Sequence, residues 1–160
     1  MRRRGVLVGM GVHHLAQLNI ARPRASLDAP VMSGFVNRLE EVNALADAAP
    51  GFVWRLVDEQ GADATRLRPY GPDVMVNLSV WESVEALYAY VYRTAHLDAL
   101  RYRRDWFGHE DMAAYLVLWW VPARTVPTLA EARGRLDLLV RKGPTAEAFT
   151  FRSRFPPPGG

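Results

Sequence analysis

Along this chain, apolar residues recur with a period of two in short stretches and with a period near 3.6 in longer ones, and the two patterns alternate. From about His14 to Ile20, Leu15, Gln17 and Asn19 fall on one side and Ala16, Leu18 and Ile20 on the other. This alternation predicts a first strand, ended by Pro23. Pro30 to Ala48 reads as a helix, with Phe35, Leu39, Val42 and Ala46 forming an apolar stripe while Arg38, Glu40 and Glu41 stay in water. Asp28 suits the N-cap of this helix, Pro30 its first turn and Pro50-Gly51 its stop. Phe52 to Val57 predicts the second strand, and the polar stretch Asp58 to Pro72 a long loop. Val74 to Trp81 is the third strand, with Val74, Val76, Leu78 and Val80 facing one way and Met75, Asn77, Ser79 and Trp81 the other. Ser83 can cap a second helix running to about Phe107, and Met112 to Val121 is a fourth strand closed by Pro122.

This order, β-α-β-β-α-β, is the split βαβ or ferredoxin-like arrangement of the α+β class, in which an antiparallel sheet carries two helices on one face. The first and third strands are expected as neighbours running parallel. Beyond Pro122, Thr128-Leu-Ala-Glu131 has the form of a capping box and opens a helix to about Val140, stopped at Gly143-Pro144. Ala148 to Arg154 is expected as an edge strand or a clasp. One domain over residues 13–155 is expected, between a disordered N-terminus (1–12) and a frayed tail (156–160). A sheet with helices on one face leaves its Val- and Leu-bearing face bare, so a second copy is expected to cover it in a homodimer, a dimeric α+β barrel.

Composition narrows the chemistry. The chain has 160 residues, 49% apolar and 23% charged, enough for one domain with its own core. The lack of cysteine excludes thiolate nucleophiles, disulfides and cysteine-ligated metals. A pI near 9.6 overstates the basicity. Formal net charge is +3 and Lys142 is the one lysine, so the arginines reflect coding preference more than a nucleic-acid surface. No nucleic acid partner is expected. Arg2-Arg3-Arg4 followed by Gly5 to Gly11 superficially resembles a signal peptide, but the apolar part is short and broken by glycines. No membrane segment is expected, and the cytoplasm is the expected location.

Aromatic and ionisable residues crowd between Trp81 and Pro122. His96 lies four residues after Tyr92 and eight after Tyr88, on one helical face with Arg103. A neutral imidazole there can exchange a proton near pH 7, or it can be a structural histidine bonded to a strand carbonyl. Arg103 can pin an oxyanion through its forked donors, or pair with a carboxylate such as Glu82. Arg101 and Arg104 point elsewhere, toward solvent or a dimer edge. Asn19 and Asn77 share a face with Gln17, Ser79 and Trp81. If that face looks at the helices, these groups floor a pocket; if it looks at a partner subunit, they form an interface network. Trp119 and Trp120 alternate across the fourth strand, one to each face. Trp106 can stack on a substrate or fill the core, and Tyr88 and Tyr92 are core aromatics or proton donors. His13-His14 and His109 match no ligand spacing, so no metal site is expected.

The joined motifs Trp81-Glu82, Tyr92-Arg93-Thr94-Ala95-His96, Arg103-Arg104-Asp105-Trp106-Phe107, Tyr115 to Pro122 and Pro127-Thr128 resemble those of domain of unknown function family 3291. Leu15 to Asn19 and Gly51 to Leu56 are similar too, and the resemblance runs from about His14 to Pro157. It implies the dimeric α+β barrel superfamily, which also holds antibiotic-biosynthesis monooxygenases, haem-degrading enzymes and chlorite-dismutase-like proteins. Many relatives carry Gly-His where this chain has Arg124-Thr125, so any role of that histidine is absent here.

The function expected from these observations is a small-molecule enzyme of secondary metabolism acting on a hydrophobic aromatic or polyketide-like substrate. His96, Arg103 and Tyr92 are its expected catalytic groups. Asn19, Asn77, Tyr88, Trp81, Trp106 and Trp119 are its expected substrate contacts. The chemistry is cofactor-independent cyclisation, isomerisation or dehydration, or monooxygenation. Superfamily analogy implies one alternative, a haem protein with His96 as axial ligand; a non-catalytic ligand carrier or structural dimer is the other alternative.

Overall fold

The computed structural model describes residues 12–61, 63–93, 104–109 and 111–159. In these residues the chain is a mixed α+β fold built on a five-stranded antiparallel sheet. Strand β1 spans His13–Pro23 and sits at the centre. On one edge it pairs with β3 (Met75–Trp81), which pairs in turn with β2 (Phe52–Arg55). Two strands share its other edge: β5 (Leu116–Pro122) lies along His13–Asn19, and the two-residue β4 (Phe107–Gly108) lies along Arg22 and Pro23.

The neighbouring β1 and β3 run antiparallel, not parallel as the sequence reading had it. The geometry requires this. A strand lying between two others that a helical crossover makes parallel must oppose both.

The first helical region is not one helix. A 3-10 turn at Pro30–Met32 leads into α1 (Ser33–Val36), and α2 follows at Leu39–Ala48. Asp28 does not cap it: Ala29 holds the cap position, without a side-chain bond. The turn after α2 depends on Gly51, whose φ of 81° is left-handed and whose missing Cβ would stand 2.5 Å from the Cβ of Ala86. Helix α3 is described over Val84–Arg93, and the Ser83 hydroxyl caps it by accepting from the Ala86 amide at 3.0 Å. The chain is strand, not helix, at Phe107, because Phe107 and Gly108 pair with β1.

Helix α4 spans Leu129–Lys142, two residues longer than expected, and ends where Gly143 takes a φ of 70°. The Thr128 hydroxyl accepts from the Glu131 amide at 3.0 Å, which is half of a capping box. The Glu131 carboxylate turns instead to the Trp119 indole N–H (3.3 Å) and to Arg135.

Register sorts the side chains into two layers. On one face the rows are Val80, Ala16 and Trp119, then Leu78, Leu18 and Val117. This is the face expected to be bare. It is covered within the chain, by Ala132, Leu136 and Leu139 of α4 and by Leu56, Leu67 and Tyr70 at its margin. Tyr70 ties the long loop to α4 by donating to the Leu129 carbonyl at 2.6 Å. The reason for expecting a second copy on this face therefore falls away: α4 already keeps it dry.

On the other face, Trp81, Leu15 and Leu118 pack with Val84, Leu87 and Tyr90 of α3 and with Ala46 of α2. Ala148 to Arg154 is a clasp. Phe149 exchanges two 2.8 Å backbone bonds with Leu118, is fully buried, and the chain then turns away. Among the described residues no helix is long and apolar enough to cross a membrane.

Candidate functional site

Between the sheet and the helices α1 to α3 lies a cavity of about 320 Å³, within the range of small-molecule sites. Its floor comes from the second face of the sheet. Two cross-strand pairs, Gln17 opposite Ser79 and Asn19 opposite Asn77, sit side by side in an otherwise apolar layer.

These groups form a directed network. An indole N–H can only donate, and that of Trp81 donates to the Ser79 hydroxyl oxygen at 2.8 Å. The Gln17 amide nitrogen donates to the same oxygen at 2.8 Å and to Asn77 Oδ1 at 2.5 Å. Both lone pairs of the Ser79 oxygen and both hydrogens of the Gln17 nitrogen are thereby used. The Gln17 carbonyl oxygen, the Asn77 amide nitrogen and the whole Asn19 carboxamide have no partner among the described residues. Asn77 is solvent-exposed although it lies mid-strand with buried neighbours on both sides, so the cavity is open to solvent above it.

The walls are aromatic. Trp81 stacks on Tyr90 with ring centroids 5.1 Å apart and planes 25° apart. Opposite, Phe35 and Trp106 meet at 5.8 Å. Gly34 allows this approach, since a Cβ there would lie 3.0 Å from the Trp106 ring. Arg38 lies over Trp106, its guanidinium carbon 5.4 Å from a ring centroid, and donates to the Gly34 carbonyl. His109 lies on the wall and stacks on Tyr115 at 4.1 Å.

A guanidinium, Arg55, and a phenol, Tyr90, line one side. Arg55 grips Asp47 through two bonds, 2.7 and 3.2 Å. That hydrogen-bonded carboxylate holds the guanidinium above its usual value against the opposing effect of burial. Tyr90 donates to the Val42 carbonyl at 3.1 Å. Burial raises its phenol well above the tyrosine range, although the nearby Arg55 charge pulls the other way. Tyr90 is therefore a neutral hydrogen-bonding group at any ordinary pH.

Of the residues singled out from the sequence, Asn19, Asn77, Trp81, Trp106 and Tyr92 line the cavity. Trp119 does not: it lies on the opposite face against α4, because strand alternation sends it there once Trp120 faces the helix side. Tyr88 is also off the wall, packed on Tyr92 (4.6 Å) and Phe151 (5.8 Å). His96 and Arg103, and Arg101 with them, lie outside the described residues. Tyr92 and Trp106, which flank that segment in sequence, both line the cavity.

Arg55 and Tyr90 were not singled out, His109 was read only as matching no ligand spacing, and Arg38, expected in water, is half-buried over Trp106 on the cavity wall. The place of Arg38 could have been read, since it follows Phe35 by three residues and precedes Val42 by four, at the border of the apolar stripe. That of Arg55 could not. A bulge between Phe52 and Trp54 places Phe52 opposite Trp81 and Arg55 opposite Ser79, so two residues an odd number apart share a face. Strict alternation would have sent Arg55 the other way.

The domain of unknown function family DUF3291 matches residues 14–160. The chain belongs to that family. No curated protein and no solved structure matches it.

Proposed function

We propose that this DUF3291 protein is an enzyme for a flat, hydrophobic small molecule bearing a carbonyl, phenol or enol oxygen. One observation carries the reading. Four polar side chains, Gln17, Asn19, Asn77 and Ser79, are placed together on the floor of a cavity whose walls are Trp81, Tyr90, Phe35 and Trp106. Polar groups inside a sheet layer cost stability unless they are satisfied. Here the cost is met partly by the Trp81–Ser79–Gln17–Asn77 network, and a ligand oxygen is what the remaining amide hydrogens suit. The rings would sandwich an aromatic substrate, and Arg38 would favour a developing negative charge. His109 is the histidine on the described wall; His96 and Arg103 remain the catalytic candidates of the adjoining segment.

The sheet order supports the split βαβ reading, with β1 between β3 and β5 and a helix-bearing crossover on each side. A homodimer remains a proposal and would use a surface other than the one under α4.

Two measurements test the function. Binding of 1-naphthol should quench tryptophan fluorescence, and Asn77→Leu should weaken it at least tenfold with the fold intact by circular dichroism. Equal binding in the variant would sink the floor as the recognition element. Turnover of phenolic polyketide-type substrates, followed with an oxygen electrode, separates monooxygenation from cyclisation, isomerisation or dehydration. Loss of turnover in His96→Ala or His109→Ala then identifies the proton carrier. A Soret band in the purified protein that vanishes in His96→Ala would replace this reading with the haem one.

A further inference from the structure

The hydrogen bonds on the cavity floor fix which end of each side chain a ligand meets. They start from a group that can only donate, the indole N–H of the buried Trp81, whose hydrogen goes to the Ser79 oxygen. That oxygen takes a second hydrogen from the Gln17 amide, and the other Gln17 amide hydrogen goes to Asn77 Oδ1. Gln17 therefore has its carbonyl oxygen left, an end that can only accept. Asn77, with Oδ1 occupied, has its amide hydrogens left, an end that donates. Neither end has a partner among the described residues.

The two ends differ in depth. Asn77 is solvent-exposed, so water reaches its amide hydrogens. Gln17 is 5% exposed and lines the cavity, so its oxygen is reached from the cavity and not from bulk water around the sheet. A buried acceptor of this kind costs stability or affinity whenever it is left unpaired. Both ends are also neutral, and the guanidinium opposite Ser79, that of Arg55, is already held by Asp47. A carboxylate ligand would set lone pairs against the Gln17 oxygen. A simple ketone would leave that oxygen without a hydrogen.

We infer that the floor selects a neutral ligand whose carbonyl oxygen is flanked by an N–H or O–H group. The carbonyl accepts from Asn77, and the neighbouring hydrogen goes to the Gln17 oxygen. This selection rests on the cavity being the binding site, and narrows its ligand from any ring bearing an oxygen to one bearing an acceptor beside a donor. Gln17 is then a specificity residue, because its orientation, set by Ser79 and Trp81, requires the ligand to donate.

The test compares bicyclic ligands of similar shape by calorimetric titration of the full chain. Isoquinolinone, a lactam, carries C=O beside N–H; isocoumarin has a ring oxygen where that N–H stands. 3-Hydroxychromone carries C=O beside O–H; chromone lacks the hydroxyl. In at least one pair the donor-bearing member should bind about tenfold or more tighter than its match, which leaves the Gln17 oxygen unpaired. The pair that shows the gain names the donor as nitrogen or oxygen. Asn77→Asp keeps the oxygen that Gln17 needs and removes the amide hydrogens. This variant should bind the favoured ligand about tenfold more weakly, and should bind protonated 1-aminoisoquinoline, which offers N–H at both positions, about tenfold better than the wild type does. A smaller gain in both pairs overturns the inference, as does undiminished binding of the favoured ligand by a folded Asn77→Asp chain. Equal binding of all four bicycles strikes the selection and leaves the cavity reading standing. If neither they nor 1-naphthol bind the wild type, the cavity reading falls and the selection with it.

Discussion

Replacing Ser79 by alanine removes one oxygen atom from the cavity floor and leaves the volume almost unchanged, so its effect isolates the hydrogen-bond network. Ser79 is 6% exposed and accepts from two donors at 2.8 Å, the Trp81 indole and the Gln17 amide. Trp81 itself is 1% exposed, so its N–H cannot turn to water. Each buried donor left unpaired costs about 1–3 kcal/mol, and two such donors cost about 2–6 kcal/mol. For a domain whose whole stability is about 5–15 kcal/mol this is a large fraction. Urea unfolding followed by circular dichroism is the assay. With a slope of about 2 kcal/mol per molar urea, the midpoint should fall by roughly 1–3 M. Gln17→Leu should cost a similar amount, and the double variant less than the sum, because the orphans created by one change include the partner removed by the other. A Ser79→Ala midpoint within about 0.2 M of wild type, equivalent to under about 0.5 kcal/mol, would refute the network as a structural element.

Phe149→Ala should destabilise the fold by about 3–5 kcal/mol, read from the same urea curves, since the ring is fully buried in the clasp. A small loss would mean that the C-terminal segment is not part of the core. Gly51→Val should cost about 2–4 kcal/mol, because a left-handed φ of 81° and a Cβ 2.5 Å from that of Ala86 both oppose it; thermal melting checks it. The raised Tyr90 phenol has a pH consequence. Its contribution to stability is complete below the unfolded tyrosine value of about 10 and is lost as pH rises above that toward the folded value, because only the unfolded chain then ionises. Tyr90→Phe should flatten the alkaline fall in melting temperature, and an unchanged fall would refute the assignment.

The sequence reading was most successful where local pattern and burial agree. The first and third strands, the Ser83 cap and the sorting of Gln17, Asn19, Asn77, Ser79 and Trp81 onto one face all follow from period-two alternation and from cap chemistry within three residues. It failed where two distant elements decide. The direction of β1 against β3 depends on how crossovers are laid over a sheet, which no local window contains. The split of the first helix at Asn37 and Arg38 occurs inside an unbroken apolar stripe.

By itself the sequence determined which side chains share a face, because the pleat and the helical pitch are properties of the backbone. It also determined family membership, through motifs spread over most of the chain. Only the tertiary structure decided which face meets which layer. The amide-bearing face lies under α2 and α3, while α4 and the long loop cover the Val and Leu face that had called for a second copy. It also decided that Trp119 belongs to the core and that a one-residue bulge turns Arg55 toward the cavity. The physical reason is the same in each case. Alternation sets two faces equal until a third element buries one of them, and that choice depends on the apolar area each partner can cover.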